Sequence, residues 1–547
     1  MQTAVTGLKL AISSEVRGEV FEQRNPQTAL GYGLMQATLQ FVPITLYFAC
    51  LIVLTIYGMH RYWELFLYYR NSRKTPIKPT EFAALPRVTV QLPLYNERYV
   101  AQRVITAVCA LDYPRELLEI QVLDDSTDCS AQMARKTCEQ FRRLGFDIQY
   151  IHRTNRTGFK AGALENGLAR STGEFIAIFD ADFVPRPGML RAVIHEFTDA
   201  EIGCVQTRWE HLNRTQSLLT RSQAIFLDGH FVIEHTARSR SGRFINFNGT
   251  GGVWRKSAIA DAGGWQHDTL TEDMDLSYRA QLRGWRIKYL GDITSPAELP
   301  PEITAFKQQQ HRWTKGSVQT AMKLLGTVLR SSQPISVKIE AFFHLTSGVV
   351  YPMAVLVAIL FFPAFCFAGA GVLSAEYPVL WLIMSVLFTI LTFSAGTFYV
   401  VAQREIKENY LAGVLLVPFL MAIGMGISLA NAIAVMEGLL GHQSEFVRTP
   451  KYGVGVNESS DQWKRRAGAF AHKAQWLPFA ELAIGLYLLA CVIISLWFNR
   501  AASCVPFMLV FMFGYLYVGG LSLHRLWLSS RNAKIEILEI MTPAPVV

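Results

Sequence analysis

Six long stretches of this chain contain no Asp, Glu, Lys or Arg: residues 25–60, 341–375, 377–403, 409–436, 482–499 and 501–524. Each can hold the ~20 apolar residues that cross a bilayer. Between the first two stretches, the block from about residue 76 to residue 340 carries most of the acidic residues and reads as a water-soluble domain. Over all 547 residues, 51% are hydrophobic and only 17% are charged, more apolar than a soluble enzyme. The chain is therefore expected to be a multi-pass membrane protein whose chemistry lies in the charged block.

The net charge of +9 invites a nucleic-acid reading. The basic residues, however, cluster beside apolar spans (Arg70, Arg73, Lys74, Lys78 and later Lys464, Arg465, Arg466), the pattern of cytosolic membrane flanks. No nucleic-acid partner is expected. The eight cysteines show no paired spacing, and Cys50, Cys366 and Cys491 sit in apolar spans, so neither a disulfide framework nor a zinc site is indicated. Glu15, Glu19 and Glu22, with no short apolar core before a small-residue site, argue against a cleaved signal peptide.

Inside the block, short β-rich runs at residues 87–92 (RVTVQL), 119–123 (EIQVL), 147–151 (DIQYI), 174–179 (EFIAIF) and 203–207 (GCVQT) alternate with helical patterns at 131–144 and 160–169. That rhythm predicts an open, mostly parallel α/β sheet with helices on both faces. Ligands of such sheets bind beyond the carboxyl ends of the strands. Those positions are acidic and polar here: Tyr95, Asn96 and Glu97 follow the first run, Asp124 to Asp128 (DDSTD) the second, and Asp180 and Asp182 the fourth. Turn formation or helix capping explains any one cluster. Three at one edge would repel one another unless a cation sits among them.

Asp180 and Asp182, two apart at a strand end, project to the same side and can share one divalent cation. Such a metal would bridge a diphosphate and offset charge on a departing nucleotide. Further on come Asn248 to Gly252 (NGTGG) and then Thr271, Glu272, Asp273 and Asp275. A capping box with Thr269 accounts for Glu272. It leaves Asp273 unexplained, and a carboxylate at a helix start beside a sugar site is placed to take a proton from an attacking hydroxyl. Residues 308–313 (QQQHRW) precede a segment with Val318, Met322, Leu325 and Leu329 on one helical face, whose Lys315, Lys323 and Arg330 would face headgroups. Arg312 and Trp313 offer a guanidinium for pyrophosphate and a flat ring for sugar stacking; an interfacial anchor is the plainer role for Trp313.

Taken together, DDSTD, DAD, TED and QQHRW, in that order, resemble the four motifs of the processive glycosyltransferase family 2, the cellulose-synthase superfamily. QVLDDSTD, KAGAL, AIFDADF, FNGT followed by GVWR, EDMDL and QQHRW are similar to stretches of the plant cellulose-synthase-like mannan and glucan synthases. The resemblance implies a glycosyltransferase A-type α/β domain, binding a nucleotide-sugar, inserted between transmembrane helices. It implies that Asp124 or Asp125 reads the base, that Tyr95, Glu97 and Lys160 help hold the nucleotide, and that Asp182 with Asp180 contacts Mg²⁺ or Mn²⁺. It further implies that Asp273 is the general base, and that Glu272, Gln309, Arg312 and Trp313 hold donor and acceptor. Phe446, Arg448, Thr449 and Lys451 (FVRTPK) look like the family's gating loop, departing from its F-x-V-T-x-K at Arg448.

The expected activity is inverting, processive hexose transfer from UDP-glucose or GDP-mannose to a growing β-linked glucan or mannan, with translocation across the membrane; the sequence names no export or modifying partner. Non-processive glycosylation of a lipid is the rival within the class. A transporter is the rival outside it, disfavoured because the spans hold almost no ionisable residue apart from His344.

The expected order along the chain is an extracytoplasmic segment 1–36, a span 37–60, a cytosolic catalytic domain 61–313, an amphipathic interface helix 314–340 and two spans in 341–403. A helix at 409–440, a cytosolic gating loop 441–476, two spans in 477–528 and a cytosolic tail 529–547 complete it. The catalytic face points to the cytosol of a plasma (cell inner) membrane. The basic segment 441–476 must also be cytosolic by the positive-inside rule, so 409–440, with Pro418, Gly424, Gly426, Ser428 and Asn431, is expected to be interrupted and re-entrant or interfacial. A single cysteine placed at Asn457 should resist a membrane-impermeant thiol reagent applied to intact cells, and labelling there would overturn this arrangement.

Overall fold

The computed structural model describes residues 26–72, 79–366, 378–406, 410–444, 446, 448–453, 476–498 and 505–541. The expected extracytoplasmic segment before Pro26, the test position Asn457 and most of the loop that contains it lie outside the described residues.

A seven-stranded sheet forms the centre of the soluble domain, in the order β3-β2-β1-β4-β6-β5-β7. Its strands are β1 (Val88–Leu94), β2 (Leu118–Asp124), β3 (Asp147–His152), β4 (Phe175–Ile178), β5 (Ile202–His211), β6 (Gly252–Arg255) and β7 (Arg286–Ala297). All five strands expected from the sequence are present. The sheet is mixed rather than mostly parallel, because β6 inserts antiparallel between β4 and β5. Its four residues, GVWR, are too few to show an alternating pattern in sequence.

Val88, Val90 and Leu92 of β1 pack on one face with Val104, Ile105 and Val108 of α2 (Ala101–Cys109). The helix α3 (Ser130–Arg143) adds Ala134 and Cys138 to that core. On the opposite face, Leu123, Ile176 and Ile178 pack with Ala161, Ala163 and Leu164 of α4 (Phe159–Leu168). β1 and β2 are therefore almost wholly buried, as central strands covered on both faces are. Helices α5 (Leu218–Asp228), α6 (Thr236–Arg240) and α7 (Glu272–Leu282) also belong to the domain, with short helices at Met189–Ile194 and Lys256–Asp261 and a π-helical turn at Gly229–His235 between α5 and α6.

The membrane helices are α1 (Pro26–Ser72), α9 (Ile335–Thr346) leading into α10 (Val350–Cys366), α11 (Pro378–Ile406), α12 (Tyr410–Leu439), α13 (Leu477–Trp497) and α14 (Val505–Met541). Among the described residues, six segments, beginning with Val42–Ser72 and ending with Val505–Ser530, are long and apolar enough to cross a membrane. The first helix does not end at residue 60 but runs on to Ser72, and α14 continues past residue 528.

Two expectations need correction. The interface helix does not begin at residue 314: α8 (Ile303–Arg330) takes the whole QQHRW motif into its second and third turns. Nor does its Lys315 face headgroups. It is fully buried, 2.8 Å from Glu437 and 2.9 Å from Ser444.

The second correction concerns α12, which is one unbroken helix through Pro418 and the glycines. Neighbouring helices brace it on either side, which is how a buried helix tolerates proline. Val417 and Leu420 pack with Ile225 of α5, Ile423 and Ile427 with Ile303 and Phe306 of α8, and Gly438 lies against Val318. The helix packs on its other side against α14, where Gly426 meets Gly514 and Ser428 bonds to the Tyr515 hydroxyl at 2.8 Å.

Near the start of α8, Lys307 lies 2.6 Å from Glu481 of α13, whose side chain is wholly buried. Truncating one partner strands the other charge, so Lys307→Met should cost about 3–5 kcal/mol. Thermal unfolding in detergent measures this, and adding Glu481→Met should restore most of the loss.

Candidate functional site

The carboxyl ends of β1 and β2, the turn after β4 and the start of α7 converge on one cavity, closed from the membrane side by α8 and by the loop after α12. Of the sequence candidates, Tyr95, Glu97, Asp125, Lys160, Asp180, Asp182, Glu272, Asp273, Gln309, Arg312, Trp313, Phe446, Arg448, Thr449 and Lys451 all line it. Asp124 does not. It is wholly buried beneath the site, accepting hydrogen bonds from the Tyr150 hydroxyl at 2.8 Å and the Ser126 amide at 2.9 Å. Between the two alternatives, Asp125 is the one that faces the cavity. Its carboxylate is held by Arg153 at 2.5 Å.

The D-x-D carboxylates are each matched by a different cation. Lys160 Nζ lies 2.6 Å from Asp180 and 3.7 Å from Glu272, and donates to the Gly249 carbonyl at 2.9 Å. Lys451 Nζ reaches Asp182 at 2.5 Å. Burial alone would lower the Lys160 pKa, but Asp180 and Glu272 outweigh it and leave the ammonium above its ordinary value. Gly249 adopts φ +78, and a Cβ there would stand 2.9 Å from Asp273. Glycine is what this close approach of backbone to carboxylate demands. Phe159, just before Lys160, holds a left-handed φ of 49, a strained conformation for a bulky residue.

The α7 helix begins at Glu272, and its N-cap Thr271 makes no side-chain capping bond. The expected capping box with Thr269 is therefore absent; the Thr269 hydroxyl is buried without a hydrogen-bond partner. Glu272 is turned instead toward Lys160. Burial, followed by the adjacent Glu272 charge, pushes the Asp273 carboxyl up to about 7. Glu97 is also pushed up to about 7 by burial, although Arg448, 2.9 Å away, and Lys451 hold it down.

The loop after α12 reaches the cavity through aromatic and basic side chains. The Arg312 guanidinium lies 4.5 Å over the Phe446 ring, and Phe446 stacks with Phe159 at 6.1 Å. The loop's far side is pinned at Tyr452, whose amide donates to Glu298 at 2.9 Å and whose hydroxyl donates to Glu302.

Sequence reasoning passed over several cavity residues. Arg156 lies 3.5 Å over the Tyr95 ring, Trp209 packs 6.3 Å from Trp313, and Glu298 borders the site beside Asp182. Glu298 follows β7 directly, so recognising that strand would have flagged it by the same strand-end rule. Asn248 was visible within NGTGG, but its bonds to His235 at 2.6 Å and His230 at 3.0 Å were not.

Residues 86–316 match the family model "Glycosyltransferase like family 2". Among curated proteins, glucomannan 4-beta-mannosyltransferase 1 of Oryza sativa subsp. japonica is 35% identical over 431 residues, covering 76% of this chain and 79% of that protein. Probable glucomannan 4-beta-mannosyltransferase 11 of Arabidopsis thaliana is 33% identical over 455 residues, covering 80% of this chain and 95% of that one. Among solved structures, the mannosyltransferase PcManGT from Pyrobaculum calidifontis in complex with GDP-Man and Mn2+ aligns with TM-score 0.47 at 22% identity, covering 66% of this chain and all of that one. With its glycosyltransferase A-type domain set among apolar helices, the chain belongs to glycosyltransferase family 2, in the cellulose-synthase-like group of the glucomannan 4-beta-mannosyltransferases.

Proposed function

We propose that this enzyme is an inverting, processive synthase that transfers hexose from a nucleotide-sugar to a β-linked mannan or glucan and passes the product into the membrane. The observation that carries the reading is a shared wall. Asp273, Trp313, Trp209 and Asn248 line both the charged cavity and a second one, which continues between Tyr57 and Arg61 of α1, Tyr351 of α10 and Tyr399 of α11. A sugar added at Asp273 has a polar, aromatic path onward between membrane helices, which transfer to a lipid alone does not require. The relatives' names favour mannose over glucose, and hence GDP-mannose over UDP-glucose.

In this reading Tyr95, Glu97 and Asp125 hold the nucleotide, and Arg312 and Lys160 the diphosphate. The cavity's acidic lining is all carboxylate oxygen with no thiolate, a donor set suited to Mg²⁺ or Mn²⁺. Asp182 and Asp180 would hold the ion, displacing Lys451. When bound, it offsets the charge that builds on the nucleoside diphosphate as it leaves.

Trp313 stacks on the acceptor sugar while Gln309 and Glu272 orient its hydroxyls. Asp273 accepts the proton of the attacking hydroxyl as that oxygen bonds to the anomeric carbon and the bond to the diphosphate breaks. The configuration inverts in a single displacement. Because the loop from Phe446 to Lys451 reaches the same cavity as the catalytic residues, we read α12 as interfacial and the catalytic face as cytosolic.

With GDP-mannose as donor, Asp182→Asn should abolish turnover while the melting temperature stays within a few degrees of wild type. Metal-dependent activity near the wild-type level would refute the assignment of the ion to this pair.

Asp273→Asn should still bind nucleoside diphosphate yet transfer at least ~10²-fold more slowly. A base must be ionised to act. With its carboxyl at about 7, the wild-type rate should therefore fall about tenfold per pH unit below that point and level off above it. A flat profile across pH 6–8 would remove Asp273 from the base role, and products of one or two sugars would favour the lipid-acceptor alternative.

A further inference from the structure

Two grooves meet at Arg243, outside the catalytic cavity; the first shares His60 and Phe343 with the wall of the second cavity. The first runs between α1 and α9 and is lined by Ile52, Ile56, Met59, Ile335 and Ile339, with polar groups gathered around His60, Trp63 and Arg243. The second starts from the same Arg243 and follows the edge strand β7 outward past Arg240, Arg286 and Lys288. Their junction lies at the cytosolic end of the first span, because Arg240 donates a hydrogen bond to the carbonyl of Ser72, the last residue of α1. Trp63, 44% exposed, places its ring 5.9 Å from the Arg243 guanidinium, the position of an interfacial aromatic.

Arg240 stands apart from the ion pairs around the junction. Arg243 faces Glu340 at 3.7 Å, Arg286 pairs with Asp199 and Glu201, and Lys288 pairs with Glu196. Among the described residues, Arg240 has no carboxylate within ion-pair distance. Each of those acids lies within ion-pair distance of a cation, which leaves Arg240 as the guanidinium without an acid partner among the described residues. We propose that this junction binds one anionic phospholipid, its acyl chain in the apolar groove and its phosphate against Arg240 and Arg243. The anionic lipids of a cytosolic leaflet supply such a ligand, and one unpaired guanidinium near the surface favours it about fivefold. Bound there, the lipid would join α1 to α9 and to the edge of the catalytic sheet.

Native mass spectrometry of the delipidated full-length protein, given dioleoylphosphatidylglycerol or dioleoylphosphatidylcholine, tests this. The wild type should retain one phosphatidylglycerol with at least about fivefold preference over phosphatidylcholine. Arg240→Gln, which loses only the bond to Ser72 and lies outside the catalytic cavity, should bring the two lipids close to parity. Ile56→Trp, filling the apolar groove, should reduce retention of both. Glycerol phosphate, which carries the charge without the chains, should fail to compete at the same concentration. Equal retention by the wild type, an unchanged preference in Arg240→Gln, or full competition by glycerol phosphate would each overturn the proposal.

Discussion

The helix α8 bears the acceptor-side motif on one stretch and three ion pairs to the membrane helices on its flanks. Glu302, its N-cap, pairs with Arg525 of α14 at 3.0 Å; Lys307 pairs with Glu481 of α13, and Lys315 with Glu437 of α12. Charges held at such low exposure tolerate little displacement, since separating them leaves one uncompensated in a poorly solvated place. Gln309, Arg312 and Trp313, lying between the second and third pairs, are therefore fixed relative both to the sheet and to the spans. The position of the catalytic cavity at the membrane surface follows from that register.

Within the cavity the governing constraint is again charge. Glu97, Asp125, Asp180, Asp182, Glu272, Asp273 and Glu298 line one site. Such a cluster holds together because Lys160, Arg153, Arg448 and Lys451 reach into it from three different parts of the chain. Two of those cations belong to the loop after α12. The loop thus covers the site by supplying the charge that the carboxylates lack, and a ligand bringing its own cations competes for the same oxygens. The left-handed backbone at Phe159 and the positive φ at Gly249 bring Lys160 and Asp273 to this crowded point.

The buried network around Arg238 shows the same logic at the domain's other junction. Its guanidinium bridges Glu64 of α1, Glu234 of the π-helical turn and Glu340 of α9. One residue of the catalytic domain thereby links two membrane helices, and the π-helical turn keeps Glu234 and His230 on the side facing the second cavity.

What was legible in the sequence was whatever rests on local pattern. The charge-free stretches marked the membrane helices because lipid forbids unpaired charge, and five strands were visible because short β-rich runs alternate with helical patterns. The strand-end acids and QQHRW stood out because strand ends and helix faces are set by short-range geometry. The short strand β6, the unbroken course of α12 and the burial of Lys315 were not legible, since each depends on residues far away in the chain. GVWR becomes a strand only between β4 and β5, Pro418 is tolerated only against braced neighbours, and Lys315 is buried only because Glu437 meets it. The choice between Asp124 and Asp125 had the same character. Adjacent residues on a strand end point to opposite sides, and only the packed sheet decided that Tyr150 lies beneath one while the open cavity lies before the other.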